Sequence, residues 1–219
     1  MGQTTGKLIL ADGTEYVGYS FGAERSTNGE VVFNTGMVGY PESLTDPSYT
    51  GQILVCTYPS IGNYGVPPED KVDEHGLRSH FESNKIHIQA MIVADYCHAP
   101  SHYQNSKSLS AWLSENNVPA LYGIDTRALT KKLREAGAML GKIVIGEDQE
   151  VKFNDPNLLN LAEQVAIPEV RTLGKIKHIW HSIIQILPLF FCSLLIPLFI
   201  TLIFKPMRHA QTFSRFNCE

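Results

Sequence analysis

The chain has 219 residues, enough to bury a sizeable core in one or two domains. Its 18 Lys and Arg stand against 22 Asp and Glu, a net charge of −4 with a pI near 6.1, so no basic excess marks a nucleic-acid surface. Cys56, Cys97, Cys192 and Cys218 show no CxxC or paired spacing and are expected to be reduced thiols of a cytoplasmic protein; small, polar residues 1–6 give no sign of a secretory leader.

In chain order, apolar runs at 7–10 and 15–19 flank Asp12-Gly13, which predicts an antiparallel hairpin. Val31-Val32-Phe33 and Ile53-Leu54-Val55 have the β-branched and aromatic character of buried strands. Residues 36–51 between them form an expected stiff loop, because Gly39, Pro41, Asp46-Pro47 and Ser48-Tyr49 restrict the backbone to turns. Such a loop is well placed to present a hydroxyl or amide to a ligand. Residues 58–65 follow as a second glycine-rich turn. A short helix is expected at 74–83, with Leu77 and Phe81 four apart, and a long buried strand at 86–96. A Ser-capped helix is expected at 106–117, a short strand at 119–122, a helix at 126–136 capped by Asp125 and stopped by Gly137, and a last strand at 141–145. Strands alternating with helices after an antiparallel start predict a mixed α/β domain. Residues 151–173 read as a peripheral segment with a turn at Asp155-Pro156-Asn157.

Five stretches carry more than local structure: Gly-Glu-Val-Val-Phe-Asn-Thr-Gly at 29–36, Gly-Tyr-Pro-Glu at 39–42, Leu-Thr-Asp-Pro-Ser-Tyr at 44–49, Tyr-Pro-Ser-Ile-Gly-Asn-Tyr-Gly at 58–65 and Asp-Thr-Arg-Ala-Leu-Thr at 125–130. Together they resemble the amino-terminal domain of the carbamoyl phosphate synthetase small subunit, most closely the version at the front of the multifunctional pyrimidine-synthesis protein. The resemblance runs from Leu8 to about Thr172. It implies a three-layer β/β/α domain with one parallel and one antiparallel sheet, and a domain plan of 1–150 for the family domain, 151–174 for a linker and 175–219 for a tail outside the family pattern. It also implies a role in making carbamoyl phosphate from glutamine, bicarbonate and ATP, for pyrimidine or arginine synthesis. The implied partners are a large synthetase component, which would use the ATP and magnesium, and a glutaminase domain normally in the same chain. No cofactor or metal is expected in this chain itself.

Releasing ammonia from glutamine through a thioester needs a cysteine activated by a paired histidine, a carboxylate behind the histidine and N–H donors for the oxyanion. The family carries these on a Gly-x-Cys-x-Gly turn and a His-x-Glu segment. No Gly-x-Cys-x-Gly occurs here, Cys56 and Cys192 sit in apolar runs that disfavour a thiolate, and the His-x-Glu segment is expected to be missing too. No catalytic residue is therefore assigned, and the isolated chain is expected to be inactive as a glutaminase, a family chain truncated before that domain. The resemblance carries one substrate residue over: Ser48, in Asp-Pro-Ser-Tyr, matches the serine that reaches the bound glutamine. The plainer alternative is that Ser48 only bonds its own turn.

Other candidates are weaker. Pro100 between His98 and His102 disfavours a helical metal pair. Gly62-Asn63-Tyr64-Gly65 and Leu173-Gly174-Lys175 lack the ending of a phosphate-binding loop. Asp125-Thr126-Arg127 is explained by a helix cap, and Lys131-Lys132 with Arg134 by a solvated helix face. Residues 183–204 hold 22 residues without a formal charge, between Lys175 and Lys177 before and Lys205 and Arg208 after. That length can cross a bilayer core of roughly 30 Å as a carboxy-terminal hydrophobic helix. Two readings stay open for it: a tail without a selected role, or a membrane anchor for a binding module. A non-catalytic domain that binds the large synthetase component is a further alternative.

Overall fold

The computed structural model describes residues 4–74, 76–146 and 151–166. Seven strands, β1 (Thr5–Leu10), β2 (Glu15–Ser20), β3 (Thr27–Asn34), β4 (Gln52–Cys56), β5 (Ala90–Val93), β6 (Ala120–Tyr122) and β7 (Met139–Ile145), close into a barrel in the order β1-β2-β6-β5-β4-β3-β7. Among them lie four short helices: α1 (Tyr40–Thr45), α2 (Leu109–Glu115), α3 (Thr126–Ala136) and α4 (Leu161–Val165). The expected mixed α/β class holds. The parallel run β3-β4-β5-β6 and the antiparallel pairings of β1, β2, β6 and β7 are both present, but joined edge to edge in one closed sheet rather than stacked as two separate ones. Closure leaves no free strand edge to pair with another chain.

Strand alternation sorts the core into two clusters. Val31, Ile53, Val55, Ala90, Ile92 and Leu121 join Leu8, Leu10, Ile143 and Ile145 from the antiparallel side, and Leu129 and Leu133 of α3 complete that group. The intervening residues, Leu54, Cys56, Met91, Val93 and Ala120, face the other way onto Leu109, Trp112 and Leu113 of α2. A parallel strand buried on both faces must be apolar, as β5 is throughout and β4 is from Ile53 to Cys56, after the half-buried Gln52 at its entrance. Two glycines permit the close packing. A Cβ on Gly29 would lie 2.5 Å from the Gly51 carbonyl oxygen, and one on Gly141 would lie 2.4 Å from Val31 Cγ2.

Several expectations change in detail. The helix expected at 74–83 is a turn: Asp73 Oδ1 accepts from Leu77 N at 2.9 Å, Gly76 takes φ 77°, and Val72 bridges Arg78. Leu77 is 48% exposed while Phe81 is buried against Trp112, so the spacing of four did not mark a common face. The long strand at 86–96 is paired in the sheet only over Ala90–Val93, although Gln89 N still bonds Gln52 O and Tyr96 makes an isolated bridge with Ile61. The 36–51 loop contains α1, begun by Gly39 at φ 85° with Pro41 in the first turn. Asp125 caps α3 as expected, accepting from Ala128 N at 2.9 Å, and Ser108 caps α2. Residues 151–166 lie on the barrel: Asn157 Nδ2 donates to Glu30 at 3.4 Å, and Lys142 Nζ sits 5.1 Å from the Phe153 ring centre. Among the described residues no helix is long and apolar enough to cross a membrane. The hydrophobic helix expected at 183–204, the tail 175–219 and the end of the linker fall outside the described residues.

Candidate functional site

The crossover from β3 to β4 is held by side chains that the sequence places at fixed points. Asn34, at the end of β3, donates from Nδ2 to Ser43 Oγ at 3.1 Å, while its Oδ1 accepts from Gly36 N at 2.7 Å. Its own carbonyl accepts from both the amide and the hydroxyl of Thr57. One residue therefore ties together the start of the crossover, α1 and the exit of β4. Tyr40 and Tyr64 stack at 4.2 Å, and the Tyr64 hydroxyl accepts from the amides of Gly39 and Tyr40, the first donors of α1. Burial pushes both phenols up, so they stay protonated at neutral pH. Thr45 anchors the far end of α1: its hydroxyl donates to Pro41 O and accepts from Glu82 N.

Ser48 lies beyond α1 in a single 3-10 turn, Pro47–Tyr49, that leads into β4. Asp46 caps this turn by accepting from Ser48 N at 2.8 Å. The Ser48 side chain is exposed, and its hydroxyl makes no hydrogen bond with another described residue. The alternative that this hydroxyl merely closes its own turn does not describe what is seen: the Asp46 carboxylate does that work. Next to it, the Thr50 hydroxyl donates to Pro47 O at 2.8 Å and lies 3.0 Å from His87 Nδ1. With the Thr50 proton given to Pro47 O, His87 Nδ1 is left to donate, which a neutral ring protonated on Nδ1 can do. Burial, helped by nearby Lys85 and opposed by Asp46, lowers the His87 pKa and favours that form.

No thiol in the described residues is arranged as a nucleophile. Cys56 at the end of β4 is 5% exposed, and burial pushes its pKa up to about 12. Cys97 is partly exposed, and its Sγ lies 3.5 Å from the Ala99 carbonyl. Among the described residues no cysteine hydrogen-bonds a histidine. One part of the sequence reading needs correction: His80-Phe81-Glu82 does supply a His-x-Glu spacing. Phe81 is buried beside Trp112, whereas His80 faces a groove it shares with Tyr64 and His102 that no cysteine lines. His98 packs edge-on against Tyr96 and Tyr122, and His102 packs edge-on against Tyr64 and at a tilt against Tyr103, so the two histidines have different neighbours.

The family model described as carbamoyl-phosphate synthase small chain, CPSase domain, matches residues 8–143. The chain belongs to this family. Multifunctional protein pyr1-3 of Dictyostelium discoideum is 56% identical over 169 residues, covering 76% of this chain, and multifunctional protein CAD of Squalus acanthias is 53% identical over 164 residues, covering 74%. The human mitochondrial carbamoyl-phosphate synthase [ammonia] is 50% identical over 171 residues, covering 78%. This chain spans 8%, 7% and 11% of those three relatives' own lengths. The family resemblance read from the five motifs is thereby shown, and the Asn34, Tyr40, Ser48 and Tyr64 arrangement belongs to a carbamoyl-phosphate synthase small-chain domain. The role of Asn34 as the fastener of the crossover is not anticipated by the sequence reading. Its position directly after a buried strand and before Thr35-Gly36 was the available signal.

Proposed function

We propose that this domain serves a glutamine-dependent carbamoyl phosphate synthetase as a structural and subunit-contact part, lending one side chain to the glutamine pocket. Ser48 is that side chain. The observation that carries the reading is its hydroxyl, exposed and without a hydrogen bond to another described residue while Asp46 holds the turn beneath it. A hydroxyl both donates and accepts, which suits the α-ammonium and α-carboxylate of an amino acid. Amide cleavage needs a thiolate, and the buried Cys56 thiol is unsuited to that work, so cleavage falls to a glutaminase domain and the ATP-dependent steps to the large synthetase component. The identity to multifunctional relatives supports the pyrimidine-synthesis version over the arginine one.

The test is a reconstituted synthetase that includes this chain, assayed with glutamine and separately with ammonium. Hydrogen bonds to charged groups contribute about 1.5–3 kcal/mol, so S48A should raise the KM for glutamine by about tenfold or more. Ammonium-driven synthesis should be unchanged. Equal loss with both nitrogen sources would refute the assignment of Ser48 to the glutamine pocket.

A second reading has its own support. The human relative whose name gives ammonia as the nitrogen source is 50% identical over this same region. A domain of this kind that serves in an ammonia-named synthase favours a non-catalytic contact role. Under that reading S48A changes neither KM, while the chain still binds the large component.

A further inference from the structure

Helix α3 has two unlike sides. Leu129 and Leu133 are buried in the core, and Lys132 is committed to Asp12 and to the Thr14 hydroxyl. Arg127, Thr130, Lys131 and Arg134, at i, i+3, i+4 and i+7, form a separate stripe. With Thr35 and Thr57, from the segments leaving β3 and β4, this stripe lines a groove of about 310 Å³.

None of the three cations pairs with a carboxylate among the described residues. The remaining ion pairs there, Lys7 with Glu15, Arg78 with Glu69, and Lys107 with Glu69 and Glu115, show that surface cations of this domain find partners when a carboxylate is near. Thr57 already donates to Asn34 O, and Thr130 to Thr126 O at 2.7 Å. The donors left to the groove are the three cations and the Thr35 hydroxyl, so only an acceptor-rich ligand fits. Two residues beyond Thr35, Met37 is 65% exposed and Val38 78%, and Tyr58 follows Thr57 at 37% exposure. These exposed side chains lie on the same two segments that leave β3 and β4 and bring Thr35 and Thr57 to the groove, and exposed Met and Tyr are enriched at protein interfaces. Arg127, Lys131 and Arg134 extend over seven residues, about 10 Å along the helix axis, a spacing that suits successive carboxylates of one segment.

We infer that this groove docks an acidic segment of the large synthetase component, a loop or helix bearing two or three Asp or Glu side chains. The inference rests on the contact role proposed above and names the surface that performs it. Desolvated Arg–carboxylate contacts would fix the register, and the Met37, Val38 and Tyr58 side chains would supply apolar area beside them.

The experiment measures binding of the full chain to the purified large synthetase component at 50 and 200 mM salt. The wild-type chain should bind, more weakly at high salt. The variant R127E/K131E/R134E should bind at least tenfold more weakly, and R127Q/K131Q/R134Q should move in the same direction should the charge reversal disturb folding. A control, R25E/K71E/K85E, reverses three exposed cations outside the groove with the same change in net charge, and should bind within twofold of wild type. Groove variants that bind like wild type, or a control that loses as much as they do, overturn the docking surface while leaving the contact role standing. A wild-type chain that does not bind at all overturns both.

Discussion

Replacing Asn34 with Ala tests how the crossover that carries Ser48 is held. The side chain makes a 3.1 Å bond to Ser43 Oγ and a 2.7 Å bond from Gly36 N; its 3.5 Å approach to Tyr49 OH is too long to count for much. Two effective bonds at about 1 kcal/mol each give a loss of about 2 kcal/mol. In a domain of this size that lowers the melting midpoint by about 4–8 °C. The backbone bonds of Asn34 to Thr57 survive the substitution, so the strands themselves should stay paired. Urea unfolding of N34A should show a lower midpoint with an unchanged slope, and N34D, which keeps the acceptor for Gly36 N and loses the donors, should fall between wild type and N34A. A loss under about 0.5 kcal/mol, the range of an ordinary surface change, would refute the claim that Asn34 fastens the crossover.

Gly29→Ala places a Cβ 2.5 Å from a backbone oxygen that no rotamer change can relieve, so it should cost more than the 1–3 kcal/mol usual for overpacking or block soluble expression; a stable, well-expressed variant would contradict the packing described. Lowered in the fold by burial, the His87 pKa makes the unfolded chain bind more protons as pH falls below about 6.5, the ordinary value. Stability from this group is therefore complete above that pH and lost as pH falls through the folded value. In H87Q the part of the acid destabilisation in that window should shrink, as read from urea midpoints between pH 7.5 and 5. Iodoacetamide at pH 8 should label Cys97 in the native protein and reach Cys56 only after unfolding, because a thiol pushed up to about 12 inside the core is almost never a thiolate. Peptide mapping of the alkylated protein distinguishes the two; fast native labelling of Cys56 would contradict its burial.

The elements most legible from sequence were those whose signal is local. Asp12-Gly13 fixed a hairpin, and Asp125 with Gly137 bounded α3 to the residue, because caps and tight turns depend on side chains within a few positions. The helix expected at 74–83 failed for the same kind of reason: Asp73 and Gly76 built a turn whose local bonds outweighed the Leu77 and Phe81 spacing. Closure of the barrel was not legible, since it depends on β7 pairing with both β1 and β3 across more than a hundred residues. Ser48 stood out through its motif, whereas the use of Asn34, Tyr64 and Thr45 to support it depends on contacts 9 to 37 residues apart that no window reveals.

Ammonia release from glutamine by the purified chain bears most directly on the account as a whole. With Cys56 sealed in the core and no cysteine bonded to a histidine among the described residues, the chain alone should release no more ammonia than buffer. Release that rises with protein concentration and disappears in C56S would contradict the account outright.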